Sequence, residues 1–385
     1  MVLKLKFSKI KNFFIKTTRE LFEPPKKRVA SLDGVRTLAI LLVVGLHSSN
    51  HIIWAGLEKS KLATIPPFQG GWIGVPLFFI LSGYFIGTQL WREFEKTGSV
   101  KVGTFILRRG LRVWPLYYFV LVSVLLIFPE YCKTIWSNVF FLSNYLGDEG
   151  PVRGAWSLST EEQFYLFIPT FIFLTSTYGR LKTLKSYRYI LLFALVLPSL
   201  SRAITWYILT GFDFFDISLY RHYIYHPIHT HFDGFVVGLL ISNIMSDKSF
   251  TSPRWLSNYW SFLFFSTVVG LSLKLLNKVT FNYAALAIIF GAFVWMCLNK
   301  DNIVTKILSW TPFYWTAKVS FGVYLVHWPV LWTLKELGWF EQTIGTPELY
   351  LLMTYGVTFL ISCIVSSLTY VLVEAPFILW RNSIL

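Results

Sequence analysis

Arg36 and His47 stand on an eleven-residue step in SLDGVRTLAILLVVGLHSSN, and the run between them is apolar. At about 100° and 1.5 Å per helical residue, that step closes about three turns, so the two side chains share a helix face roughly 16 Å apart along its axis. A buried neutral imidazole is the form that accepts a proton, and a guanidinium fork binds carboxylate or phosphate. The competing role for His47 is a ring satisfied by a backbone carbonyl. Asp33 and Arg36 on the approach weigh against it, because an ionisable residue inside a membrane helix is costly and marks a functional site by default.

Further clusters have similar chemical potential. In RRGLRVWPLYY, Arg108, Arg109 and Arg112 lie where a loop enters a helix, and Arg109 and Arg112 fall one turn apart. They can bind phosphates bidentately, or simply anchor a cytoplasmic loop. In GPVRGAWSLSTEEQFYLF, Glu161 and Glu162 begin an apolar helix. Two carboxylates there cap backbone amides and favour the helix dipole; turned inward, one could orient a histidine or bind a sugar hydroxyl. Ser82-Gly83 within FFILSGYFIG permits close helix approach or passage of a narrow ligand, close approach being the ordinary role. In RHYIYHPIHTHFDGFVVG, four histidines precede Asp233; their spacing matches no zinc pattern, and His231 and Asp233 are expected at an outer mouth. His327 follows Tyr324 by three residues in SFGVYLVHWPV, where a structural hydrogen bond is expected.

The elements that must position these groups are membrane helices. Of 385 residues, 54% are hydrophobic and 14% charged, against about 25% charged in soluble domains. The ~20-residue rule gives about ten spanning segments, near 37–56, 71–90, 113–130, 162–179, 189–209, 232–246, 257–275, 281–298, 311–334 and 349–379. The expected fold is an all-α integral membrane bundle of about ten transmembrane helices in one domain, 31–380, with a short cytoplasmic tail at 381–385. Alternate connections hold most of the 35 Lys and Arg, so both termini are expected in the cytoplasm. The net charge of +15 is thus a matter of topology, and nucleic acid is not an expected partner. Residues 1–30 mix Lys with Leu, Ile and Phe and lack the apolar core of a cleavable signal; they read as a basic amphipathic segment on anionic membrane lipids, or as a tail that only fixes orientation. The three cysteines lie far apart without CxxC spacing and read as small apolar residues.

In order along the chain, these strings resemble the membrane-bound acyltransferase family 3. The basic residue and the histidine eleven positions on match Arg36 and His47. FFxxSG matches Phe78, Phe79, Ser82 and Gly83, and RxxR matches Arg109 and Arg112. WSLxxExxFY matches Trp156, Glu161, Phe164 and Tyr165, and the terminal elements match Ser320, Tyr324, His327, Glu374 and Pro376. The resemblance implies an integral-membrane O-acyltransferase of the inner membrane. It would move an acyl group, usually acetyl, from cytoplasmic acyl-CoA to a hydroxyl of an extracytoplasmic or lipid-linked glycan. Family acceptors include lipopolysaccharide O-antigen, other surface polysaccharides and peptidoglycan. Some members carry a C-terminal esterase-like domain, which the sequence to Leu385 does not contain, and the family more often has arginine at the position of His231.

On this basis the expected catalytic residues are His47 as general base and Glu161 as its orienting or acceptor-holding partner. Arg36, Arg108, Arg109 and Arg112 would bind the phosphates of acyl-CoA, Ser82 and Gly83 would line its thin arm, and Glu162, His231 and Asp233 would meet the acceptor. No metal is required, because a thioester is already activated. Direct transfer and an acyl-histidine intermediate both fit. The competing class is a polytopic transporter or flippase of a glycan or related small molecule, with the ionisable residues as its substrate path.

Overall fold

The computed structural model describes residues 2–54, 60–147, 152–213, 216–250, 262–263, 266–267, 278–298, 302–339 and 346–385, with side chains from residue 12 onward except at 54, 66 and 278. Among them all regular structure is helical. The main elements are α1 (Val2–Phe22), α2 (Ala30–Trp54), α3 (Gly74–Thr97), α4 (Val102–Ile127), α5 (Ala155–Thr177), α6 (Leu184–Ala194), α7 (Leu197–Thr210), α8 (Asp233–Ser246), α9 (Lys278–Cys297), α10 (Pro312–Glu336), α11 (Pro347–Thr369) and α12 (Ala375–Ile384). Among the described residues, six stretches are long and apolar enough to cross a membrane: 30–53, 71–97, 102–127, 184–210, 279–297 and 347–384. Helices α5 and α10, at 23 and 25 residues, have the length but not the apolarity, carrying Glu161 and Glu162 in one and Lys318 and His327 in the other. Helix α8, with 14 residues, is apolar but short. The span expected near 257–275 lies largely outside the described residues.

The chain divides into two compact units. The first comprises residues 1–74, 108–126 and 303–385. Its centre is α2, which runs against α10 and α11. Tertiary hydrogen bonds tie the three: Thr37 donates to the Phe313 carbonyl at 3.0 Å and Tyr355 to the Leu41 carbonyl at 3.3 Å. The end of α1 joins this unit, with Thr17 and Leu21 buried, Phe22 stacked on Trp315, and the Tyr314 hydroxyl donating to the Glu20 carbonyl at 2.9 Å.

The second unit comprises residues 75–107 and 127–302. Here α3 and α8 meet through glycines spaced four apart, Gly83 and Gly87 on one helix and Gly234 and Gly238 on the other. Lipid tails give no hydrophobic drive for helix association, so membrane helices gain contact by bringing backbones together at small residues. A Cβ on Gly83 would stand 2.3 Å from the Phe235 carbonyl oxygen, and one on Gly238 would stand 2.1 Å from that of Ile80.

A buried ion pair fixes α7 to α8. Arg202 and Asp233 are paired through both carboxylate oxygens, at 2.8 and 3.1 Å. The remaining guanidinium hydrogens go to the Thr280 carbonyl (2.8 Å), the Thr230 carbonyl (2.6 Å) and the Ser199 hydroxyl (3.0 Å). An arginine has five N–H donors, and here all five have acceptors. Away from water, such complete pairing is what makes a charge tolerable.

Two outcomes follow for unfolding in detergent, read as thermal midpoint. Gly238→Leu is expected to destabilise by at least the ~1–3 kcal/mol typical of overpacking, whereas Gly103→Ala, with open space around its Cβ, is expected to be neutral or slightly stabilising. Asp233→Ala should cost about 3–5 kcal/mol by stranding a buried cation, and the double change Arg202→Met/Asp233→Leu should recover most of that loss.

Candidate active site

Helix α2 is unbroken from Ala30 to Trp54, so Arg36 and His47 lie on one continuous helix, both half-buried. The sharpest feature of the first unit is the partner of His47. Its Nδ1 lies 2.7 Å from Nε2 of His327, a fully buried ring on α10. The rings are nearly parallel, 9° apart, with centroids 4.9 Å apart. At so short a nitrogen separation, centroids this far apart require an edge-to-edge arrangement. The two imidazoles are therefore hydrogen-bonded in their common plane and not stacked face to face. His327 Nδ1 in turn lies 3.1 Å from the Val323 carbonyl, one helical turn back on α10. Trp328 flanks His47, with ring centroids 4.8 Å apart.

The cations expected at the inner mouth, Arg36, Arg108, Arg109 and Arg112, all lie in the same unit. Arg109 is half-buried, while Arg108 and Arg112 are exposed. Arg112, Lys318 and the buried Glu374 act on one another electrostatically, and Arg381 feels both Arg108 and Arg112. The Lys318 ammonium sits over the Tyr370 ring, 4.8 Å from its centroid. Tyr370–Glu374 forms a π-helical turn, an irregularity frequent at functional sites. Arg28 and Asp33 pair just before Arg36.

In the second unit, Glu161 is held by hydroxyls. Tyr165, one turn along α5, donates to one carboxylate oxygen at 2.6 Å, and Ser82 of α3 donates to the other at 3.1 Å. Ser82 thereby has a hydrogen-bonding role. Gly83 lets the Phe235 backbone come close, a Cβ there meeting the Phe235 carbonyl oxygen at 2.3 Å. Glu162 is half-buried next to Glu161. The amino end of α5 is braced by a buried polar cluster in which Asn144 and Gln163 exchange two hydrogen bonds of 2.9 Å and Ser143 meets Ser159 at 2.8 Å.

The residues expected at the outer mouth take a different form. Asp233 gives both oxygens to Arg202, so in this structure its carboxylate clamps two helices together. His231 is buried within the rings of Tyr283, Tyr225, Phe79 and Trp156, and its Nδ1 donates to the Tyr225 carbonyl at 2.8 Å. Burial pushes its imidazole down to about 3, and burial likewise lowers His226, stacked on Trp156, to about 3. Both rings are neutral at physiological pH.

Sequence reasoning placed His327 as a structural residue. Its three-residue distance from Tyr324 gave no sign that its ring would meet His47. The role of Arg202 was equally hidden, since its acceptors come from three separate stretches of chain.

Residues 29–370 match the acyltransferase-domain family. The chain is 26% identical to the peptidoglycan O-acetyltransferase OatA of Listeria monocytogenes over 338 residues, covering 80% of this chain and 50% of that protein. It is 25% identical to the putative peptidoglycan O-acetyltransferase YrhL of Bacillus subtilis over 382 residues, covering 90% and 54%. A putative O-acetyltransferase of Staphylococcus aureus is 31% identical over 163 residues, or 37% and 24% of the two chains. The chain thus spans about half the length, or less, of these relatives. No solved structure matches. A match this long, carrying the motifs in their expected order, means that the chain belongs to the acyltransferase 3 family.

Proposed function

We propose that this protein is an O-acetyltransferase of the cell's inner membrane, which passes acetyl from cytoplasmic acetyl-CoA to a hydroxyl of an extracytoplasmic glycan. Peptidoglycan is the acceptor class to test first, because two of the relatives are named for it. The observation that carries the reading is the in-plane imidazole pair formed by His47, on the same helix as Arg36, and His327 of α10, in a chain of this family.

In this mechanism Arg36, Arg109 and Arg112, with Arg108 beside them, hold the donor's phosphates by charge-assisted hydrogen bonds. The ~16 Å of helix between Arg36 and His47 is a distance that the donor's pantetheine arm can bridge. His47 removes the proton of the acceptor hydroxyl as its oxygen attacks the thioester carbonyl. The C–S bond then breaks, and the proton passes from His47 to the departing thiolate, leaving the acetyl ester and free CoA. Glu161, held by Tyr165 and Ser82, accepts a hydrogen bond from the acceptor, with Glu162 as its neighbour.

The test uses membranes supplied with radiolabelled acetyl-CoA and peptidoglycan. His47→Ala is expected to lower transfer by ~10²–10⁴-fold, the contribution typical of a general base, with insertion unchanged. Near-normal transfer by that variant would remove His47 from the chemistry. Movement of label across the membrane without a covalent ester would favour a transporter. Arg109→Ala should raise KM for acetyl-CoA by about tenfold or more, the value of a hydrogen bond to a charged group, with little change in kcat.

A further inference from the structure

His327 has a chemical direction that its surroundings determine. Its Nδ1 faces the Val323 carbonyl at 3.1 Å, and a carbonyl oxygen can only accept. His327 Nδ1 therefore carries a hydrogen. A neutral imidazole has one N–H, so Nε2 of His327 bears a lone pair. That lone pair faces His47 Nδ1 at 2.7 Å, in the ring plane. In the neutral pair the hydrogen between them must belong to His47 Nδ1, which leaves the His47 lone pair on Nε2. One backbone carbonyl of α10 thus sets the tautomer of two rings in succession.

We infer that His327 is a positioning residue that sets the tautomer of His47, making Nε2 the nitrogen that receives the acceptor's proton. The inference rests on the reading of His47 as general base. Its chemistry follows the logic by which a carboxylate orients a catalytic histidine, with a second imidazole in the carboxylate's place. When Nε2 of His47 takes the acceptor proton, Nδ1–H remains bonded to His327, and that hydrogen bond becomes charge-assisted and shorter. When the thiolate takes the proton back, the pair returns to its starting state with no net change. Because the bond strengthens only while His47 is cationic, it lowers the barrier without tightening donor binding, so its loss falls on kcat.

Two variants separate positioning from plain packing. His327→Phe keeps an aromatic ring but has no acceptor; His327→Gln supplies a carbonyl oxygen that can accept from His47. The Phe variant is expected to lose ~10²-fold or more in kcat, towards the ~10⁴-fold that a wrong tautomer costs a carboxylate-oriented histidine, with KM for acetyl-CoA unchanged. The Gln variant should recover a substantial part of that loss. The direct readout is ¹⁵N NMR of the full chain in nanodiscs with labelled histidine, His47 being assigned by the signals missing from His47→Ala. The wild type should show His47 protonated at Nδ1 and bare at Nε2, and the Phe variant should show the opposite tautomer. A wild-type His47 protonated at Nε2 would overturn the inference outright, whatever the variants do. So would an unchanged His47 tautomer in a folded Phe variant. If the wild type transfers no acetyl yet shows the expected tautomer, the pairing stands and the acetyl-CoA reading fails, so the two failures can be told apart.

Discussion

A membrane interior offers no water to complete a hydrogen bond, and that constraint organises the polar groups of this chain. Each unsatisfied donor or acceptor in hydrocarbon costs several kcal/mol. An imidazole placed there needs partners arranged around it by the protein. His327 meets the demand by giving one nitrogen to the Val323 carbonyl of its own helix and the other to His47. Arg202 meets it with five acceptors for five donors. The first arrangement fixes the directions of two rings, and the second locks two helices. One solvent constraint yields a candidate reactive centre in one unit and a scaffold clamp in the other.

What the sequence disclosed follows from the range of the interactions. The relation of Arg36 to His47 was legible because both lie on one helix, where spacing alone fixes the shared face. Gly83 of α3 was legible as a site of close approach, because a small residue inside an apolar helix has that ordinary role. The α10 partner of His47 was not, because it lies 280 residues away in sequence. Asp233 shows the limit most clearly. Standing after a run of histidines, its carboxylate looks like part of a binding mouth. Its actual partner on α7 could be found only once α7 and α8 were side by side. Spanning helices were legible wherever apolarity was continuous. They were least distinct in α5 and α10, where residues matching the family motifs interrupt the apolar run.

That interruption is informative in itself. Helices α5 and α10 carry Glu161 and His327, and both depart from the uniform apolarity that simple spanning requires. A sequence with no chemical task would gain insertion energy by replacing these groups with leucine. Where local preference and global context disagree in this way, functional sites are the expected location.

The choice of a histidine beside the candidate base also has a physical logic. A carboxylate in that place would bring a permanent negative charge into the bundle, and it would have to be paired both before and after the proton arrives. The second unit shows what such pairing entails, since Asp233 engages a whole guanidinium. A neutral imidazole carries direction without charge. It orients His47 through one lone pair, is itself oriented by a backbone carbonyl that is part of the helix, and meets a cation only during the reaction. The resting site then has no buried charge on its orienting side. The polarity needed for proton transfer appears only when His47 is protonated, when stabilisation lowers the barrier.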